Sequence, residues 1–143
     1  MEIDRVHQFK YLGRILTDND RDTTCIEYNI KNARRQWNCI AKILKREGAN
    51  AKCMAKFYIT VVQAVLLYGA DTWSVTQRDM QKLESFHKRA IRHMTGKHIQ
   101  KMNDRKWIYP DHDKLLKECN LHQMDVYIKR RRGTLRKYFE QNR

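Results

Sequence analysis

Fourteen residues without a charge, Phe57 to Ala70 (FYITVVQAVLLYGA), interrupt a chain in which charged side chains make up 32% of the total. A bilayer crossing needs roughly 20 apolar residues, so this run is too short to span a membrane. It is also too apolar to stand in water, and it therefore specifies a buried element around which the rest of the chain is arranged. Asn50 stands where an N-cap is wanted and Gly69 where a helix would stop. Between them, Met54, Phe57, Val61, Val65 and Tyr68 predict one apolar stripe, with Tyr58, Val62 and Leu66 filling its sides. The helix so predicted is apolar almost all round and central.

Two flanking segments carry the complementary pattern. Ile26, Ile30, Ala33, Trp37, Ile40 and Leu44 alternate steps of four and three, the seam of a helix that Thr23 or Thr24 can cap and that Gly48 ends. Thr76, with Asp79 three positions on, is a relative of the capping box and opens a third helix. Met80, Leu83, Phe86, Ala90, Ile91 and Met94 form its buried face and Gly96 its end, with His87, Lys88, Arg89, Arg92 and His93 expected on or beside the opposite side. Trp73 anchors the connection that precedes it. Three helices with short connections make a bundle. Beyond it, a basic connection with aromatic anchors Trp107 and Tyr109 leads to Pro110, a short helix near Lys114 to Cys119, and a last helix from His122 to Glu140 weakened by Gly133. At the other end, "FKYLGRIL" (Phe9 to Leu16) looks extended and is followed by a turn, "TDNDRD". No sheet is visible to receive it, so it is expected to pair with residues 1–8 or to lie against the bundle.

The net charge of +14 matters through its distribution. Residues 1–30 are slightly acidic, whereas the first and third helices and the C-terminal part are each strongly basic. An excess spread over successive segments predicts a folded surface facing a polyanion, nucleic acid before others. Lys31, Arg34, Arg35, Lys42, Lys45 and Arg46 flank the seam of the first helix, Lys88, Arg89 and Arg92 lie on the third, and Lys129, Arg130, Arg131 and Arg132 make the densest cationic stretch. Tyr11, Trp37, Trp107 and Tyr109 are the aromatic residues available to stack on bases or sugars, although Trp37 falls on the apolar seam. The alternative is a helical interaction module whose basic surface meets an acidic protein. Four scattered cysteines with no C-x-x-C pair argue against a disulfide framework and point to an intracellular setting, nuclear or cytoplasmic.

Catalytic patterns are weak. Asp18 and Asp20 belong to a turn. Cys119 and His122 have C-x-x-H spacing without a second ligand pair, so core and helix-end roles account for them. Asp111, Asp125 and Lys129 loosely match a nuclease layout, but Asp111 after Pro110 suits an N-cap, and Asp125 and Lys129 suit an ion pair across one helical turn.

Taken in order, "FKYLGRIL", "IKNARRQWNCIAKIL", "AKFYITVVQAVLLYGADTW", "KLESFHKRAIRHMTG" and "YIKRRRGTLRKY" resemble the end of a non-LTR retrotransposon reverse transcriptase. The likeness implies a mainly α fold: residues 1–20 as a primer-grip-like β-strand or hairpin, 21–96 as a three-helix thumb-like bundle, and 97–143 as a basic helical extension. It further implies that Phe9, Lys10, Tyr11, Leu12 and Gly13 help place a primer terminus, and that the basic faces of the first and third helices track a template–primer duplex. The family's Y-x-D-D motif, whose aspartates bind magnesium, does not occur in these residues, nor does its zinc knuckle. No cofactor is therefore expected in this chain, which is expected to be a fragment or remnant, inactive as a polymerase alone, with a palm domain supplied from elsewhere.

Overall fold

The computed structural model describes residues 8–11, 14–17, 22–97, 100–101 and 106–141. The fold is mainly α. Its first helix, α1 (Thr23–Arg46), buries the face that contains Ile26, Ile30, Ala33, Trp37 and Ala41, while the predicted seam positions Ile40 and Leu44 are half-buried. The N-cap is Asp22 and not a threonine, and its side chain does not cap the helix. Asp22 Oδ2 instead accepts from the Ser74 amide at 2.7 Å, tying the start of α1 to the connection before the last helix of the bundle.

The central run begins with α2 (Ala51–Phe57), capped by the Asn50 side chain, which accepts from the Cys53 amide at 2.8 Å. It continues as a π-helical turn (Tyr58–Val62) and then α3 (Gln63–Leu66). Here the predicted stripe is corrected. Tyr58, Val62 and Leu66 are fully buried, whereas Phe57 and Tyr68 are 46% and 49% exposed. In a regular α-helix, residues spaced by four drift around the axis. A π turn closes i→i+5 bonds and holds more residues, so it brings Tyr58, Val62 and Leu66 into line. The run is therefore one-sided and not buried all round. Its end is held from α1, because the buried Asn29 Nδ2 donates to the carbonyls of Leu66 at 3.3 Å and Tyr68 at 3.1 Å. Gly69 then reverses the chain at φ +79°, a conformation costly to any residue with a Cβ, into a 3-10 turn (Ala70–Thr72) that seats Trp73 in the core.

Helix α4 (Gln77–Thr95) opens with a full capping box: the Thr76 hydroxyl accepts from the Asp79 amide at 3.1 Å, and Asp79 Oδ2 accepts from the Thr76 amide at 3.2 Å. The same Oδ2 accepts from the Thr23 hydroxyl at 3.2 Å, so the box also binds α4 to the start of α1. Asp79→Ala should therefore cost more than Thr76→Ala, about 2 against about 1 kcal/mol. Denaturant midpoints check this, and equal losses would mean that the Thr23 link contributes nothing.

After α4, a short hairpin of β3 (Gln100–Lys101) and β4 (Trp107–Ile108) interrupts the connection, an element the sequence pattern does not suggest. Trp107 and Tyr109 are 57% and 65% exposed, so they do not anchor this segment to the core as expected. Asp111 caps α5 (His112–Cys119) by accepting from the Asp113 amide at 3.2 Å, and α6 (Met124–Gln141) follows. Leu115, Leu116, Cys119, Met124 and Ile128 join the same hydrophobic cluster as the bundle. The basic extension thus completes the core and does not stand apart from it.

At the N-terminal end, Gln8–Tyr11 (β1) pairs antiparallel with Arg14–Thr17 (β2), with Phe9 opposite Leu16 and Tyr11 opposite Arg14. The octet supplies both strands of its own hairpin, in place of the pairing expected with residues 1–8. Two short strands separated by two residues, the second a glycine, suit a tight hairpin; Leu12 and Gly13 themselves, like Asp18 and Asp20, lie outside the described residues. Among the described residues, no helix is long and apolar enough to cross a membrane.

Candidate nucleic-acid interface

Helices α1 and α4 lie side by side, and their exposed edges enclose a groove in two sections of about 660 and 350 Å³. Its apolar floor comes from the margins of the core: Ile30 and Phe86 in the larger section, Trp37, Phe86 and Ala90 in the smaller. Lys31 and Arg34 from α1 and Arg78, Lys82 and Arg89 from α4 form the walls of the larger section, with Arg34 and Arg89 shared by both and Arg92 at the far end. Glu27 is the one carboxylate among the lining residues, and it is ion-paired with Lys82 across the groove. The remaining guanidinium and ammonium groups face solvent from a partly apolar trough. Such a surface suits a chain of phosphates with sugars along it.

The spacing explains the assembly. Arg78, Lys82, Ser85 and Arg89 follow steps of four, three and four along α4, as Lys31, Arg34 and Asn38 follow three and four along α1, so each helix presents one polar edge. Of the predicted binding residues, Lys31, Arg34, Arg89 and Arg92 come together here. Arg35, Lys42, Lys45 and Arg46 are exposed on α1 but do not line the groove, and Lys88 is exposed on α4 outside it. Arg78, Gln81, Lys82 and Ser85 escape a reading of the sequence because their value depends on which face of α4 meets α1. Their helical register with Arg89 is the available signal.

His87 corrects the expected face of α4, since it is 1% exposed. Its Nε2 lies 2.8 Å from the His122 carbonyl, which can only accept, so Nε2 carries the proton and Nδ1 accepts from the Tyr58 hydroxyl at 2.7 Å. Burial pushes the imidazole down to about 4, against a raising effect of the His122 carbonyl, and pushes the Tyr58 hydroxyl above its usual range. Tyr58 also packs edge-on to Trp37 and stacks near Phe86, with ring centroids 5.6 and 6.5 Å away. This polar link inside an aromatic cluster joins the π turn, α4 and the connection before α6, and its Tyr58 ring packs against Trp37 and Phe86, two residues of the groove's floor.

The cationic stretch on α6 lies elsewhere. Helix α4 rotates roughly 200° between His87, which faces α6, and Arg89, which faces the groove. Lys129 Nζ sits 3.6 Å from Asp125 Oδ2, the Arg130 guanidinium lies 5.8 Å from the Tyr127 ring centre, and Arg132 Nη2 donates to the Trp73 carbonyl at 2.6 Å. Arg132 is thus part of the clasp between α6 and the 3-10 turn. The side chains of Phe9, Lys10 and Tyr11 lie outside the described residues, as do Leu12 and Gly13 entirely. Cys119 is buried in the core, its thiol pushed up to about 11 first by burial and then by Glu118, which fits a packing role. Among the described residues, no group of three or more His, Cys, Asp or Glu is placed to hold a metal ion. Comparison of the chain with protein-family models, curated proteins and solved structures gives no match.

Proposed function

We propose that this chain is a nucleic-acid-binding module that clamps a template–primer duplex through its phosphates, corresponding to the thumb and C-terminal extension of a retrotransposon reverse transcriptase and relying on a palm domain outside these residues for chemistry. The observation that carries this reading is the α1/α4 groove, in which Lys31, Arg34, Arg78, Arg89 and Arg92 flank an apolar floor and only Glu27 opposes them. Phosphate contacts of this kind position a duplex without reading its sequence. The rival, a helical module that docks an acidic protein, shares the charge and would use the same groove. Titrating an RNA–DNA hybrid in the presence of excess polyglutamate tests the choice: the hybrid stays bound under the proposal, and its complete displacement would favour the rival.

The α6 cations take a lesser part. Reversing Lys129, Arg130 and Arg131 while leaving Arg132 on its Trp73 carbonyl should lower hybrid affinity about threefold, by weakening the long-range field alone. Unchanged affinity in the same titration would remove α6 from the binding surface.

A further inference from the structure

Three contacts fix how α1 and α4 run. The Thr23 hydroxyl donates to Asp79, Glu27 pairs with Lys82, and the Trp37 and His93 rings meet edge to face at 5.7 Å, at offsets of 56, 55 and 56 positions. A constant offset means that the two helices run parallel. Their N-terminal halves therefore hold Asp79 and Glu27, while Arg34, Arg89 and Arg92 meet at the smaller section of the groove, where no lining residue is a carboxylate. Among the described residues, no carboxylate pairs with any of these three guanidinium groups. Like charges gathered at one cavity repel one another. Arg92 stands in the last turn of α4, where the helix dipole favours a cation, but Arg34 and Arg89 have no such support. At about 350 Å³ the cavity falls within the range of small-ligand sites, roughly 300 to 1,000 Å³. Like them, it joins an apolar floor, here Trp37, Phe86 and Ala90, to a few polar groups, Asn38 among them.

We propose that this smaller section is a pocket for a single nucleotide, its base against Trp37, Phe86 and Ala90 and its phosphate on Arg34, Arg89 and Arg92. A guanidinium group takes two phosphate oxygens through parallel N–H donors, so three of them can cover a phosphate monoester. The floor calls for a flat, uncharged part, which a bare phosphate or polyphosphate lacks. The Asn38 amide both donates and accepts, so it suits the polar edge of any base. The same chemical unit occurs free and at the 5′ end of a strand, two sources that the experiment separates. The pocket shares Arg34 and Arg89 with the duplex clamp but holds a different ligand, and either can fail while the other stands.

The full chain is titrated by calorimetry with thymidine 5′-monophosphate, with thymidine and with inorganic phosphate. The pocket predicts that the nucleotide binds roughly tenfold tighter than either half, the gain expected from one base seated on an aromatic floor. Arg34→Gln and Arg92→Gln should each weaken nucleotide binding about tenfold, the loss of one charge-assisted contact. Arg35→Gln, exposed on α1 outside the groove, should leave it unchanged. Arg34 is exposed, so its variant keeps the fold even if that of the half-buried Arg92 does not. A single-stranded thymidine oligonucleotide with a 5′-phosphate, compared with its 5′-hydroxyl form, identifies the source. A similar preference for the phosphate assigns the pocket to a strand end, and no preference assigns it to the free nucleotide. Nucleotide binding no tighter than that of inorganic phosphate, or weakened equally by Arg35→Gln, would overturn the pocket. Retained hybrid binding in that case leaves the clamp intact, whereas nucleotide binding without hybrid binding leaves the pocket and removes the clamp.

Discussion

Replacing Arg34 and Arg89 together by glutamate should weaken binding of an RNA–DNA hybrid about a hundredfold at low salt, since each exchange removes one phosphate contact and adds one repulsion. These two residues line both sections of the groove from opposite walls, and no other pair of cations there has the same reach. Both side chains are exposed, and the fold should survive the change. The control is the pair Arg35 and Arg46, also exposed on α1 but outside the groove. Reversing them alters the net charge by the same amount, yet should cost less than about tenfold. Parallel losses in the two double variants would mean that the hybrid responds to total charge and not to the groove.

The second large effect concerns stability and comes from His87. Its ordinary pKa near 6.5 applies to the unfolded chain, while burial holds the folded value at about 4. The folded state therefore binds the proton less readily than the unfolded state. The contribution of neutral His87 is fully present above pH 6.5 and is lost progressively as the pH falls from 6.5 to 4. Over that window the loss amounts to about 3 kcal/mol, since each pH unit between the unfolded and folded values is worth about 1.4 kcal/mol. Protonation would also place a donor at Nδ1 against the Tyr58 hydroxyl, which must then turn away inside the core. Carboxylates contribute their own acid dependence, so the informative quantity is the difference between the native chain and His87→Gln, which keeps an amide in place of the ring but does not titrate. Unfolding free energies measured between pH 7 and pH 4 should converge as the pH falls. Curves that stay parallel would show that His87 is already solvated.

Much of the bundle is legible from spacing because its signals are local. The seam of α1, the buried face of α4, the Thr76–Asp79 box and the caps at Asn50 and Asp111 each depend on residues a few positions apart. What escapes such a reading depends on contacts distant in sequence. The π turn rotates Phe57 out and Tyr58 in, a choice that only the packing of Tyr58 against Trp37, Phe86 and His87 decides. His87 carries a polar side chain and reads as one with its charged neighbours Lys88 and Arg89, yet its partners are on the π turn and at His122. Arg132 reads as one unit with the three cations before it, and its added role, a guanidinium that donates to the Trp73 carbonyl, depends on a contact 59 positions away. For the interface, spacing identifies the α1 and α4 cations as a class, but sorting them into those lining a groove and those facing open solvent requires the relative rotation of the two helices. The hairpin of Gln8–Tyr11 and Arg14–Thr17 is the opposite case: its two-residue spacing is a local turn signal, present in the sequence and obscured by the lack of a larger sheet.

Affinity of the unmodified chain for an RNA–DNA hybrid across a salt series tests the clamp most directly. With four or five groove cations on phosphates, the logarithm of the binding constant should fall linearly with the logarithm of salt concentration, with a slope of roughly −4. No binding at low salt, or binding indifferent to salt, would contradict it.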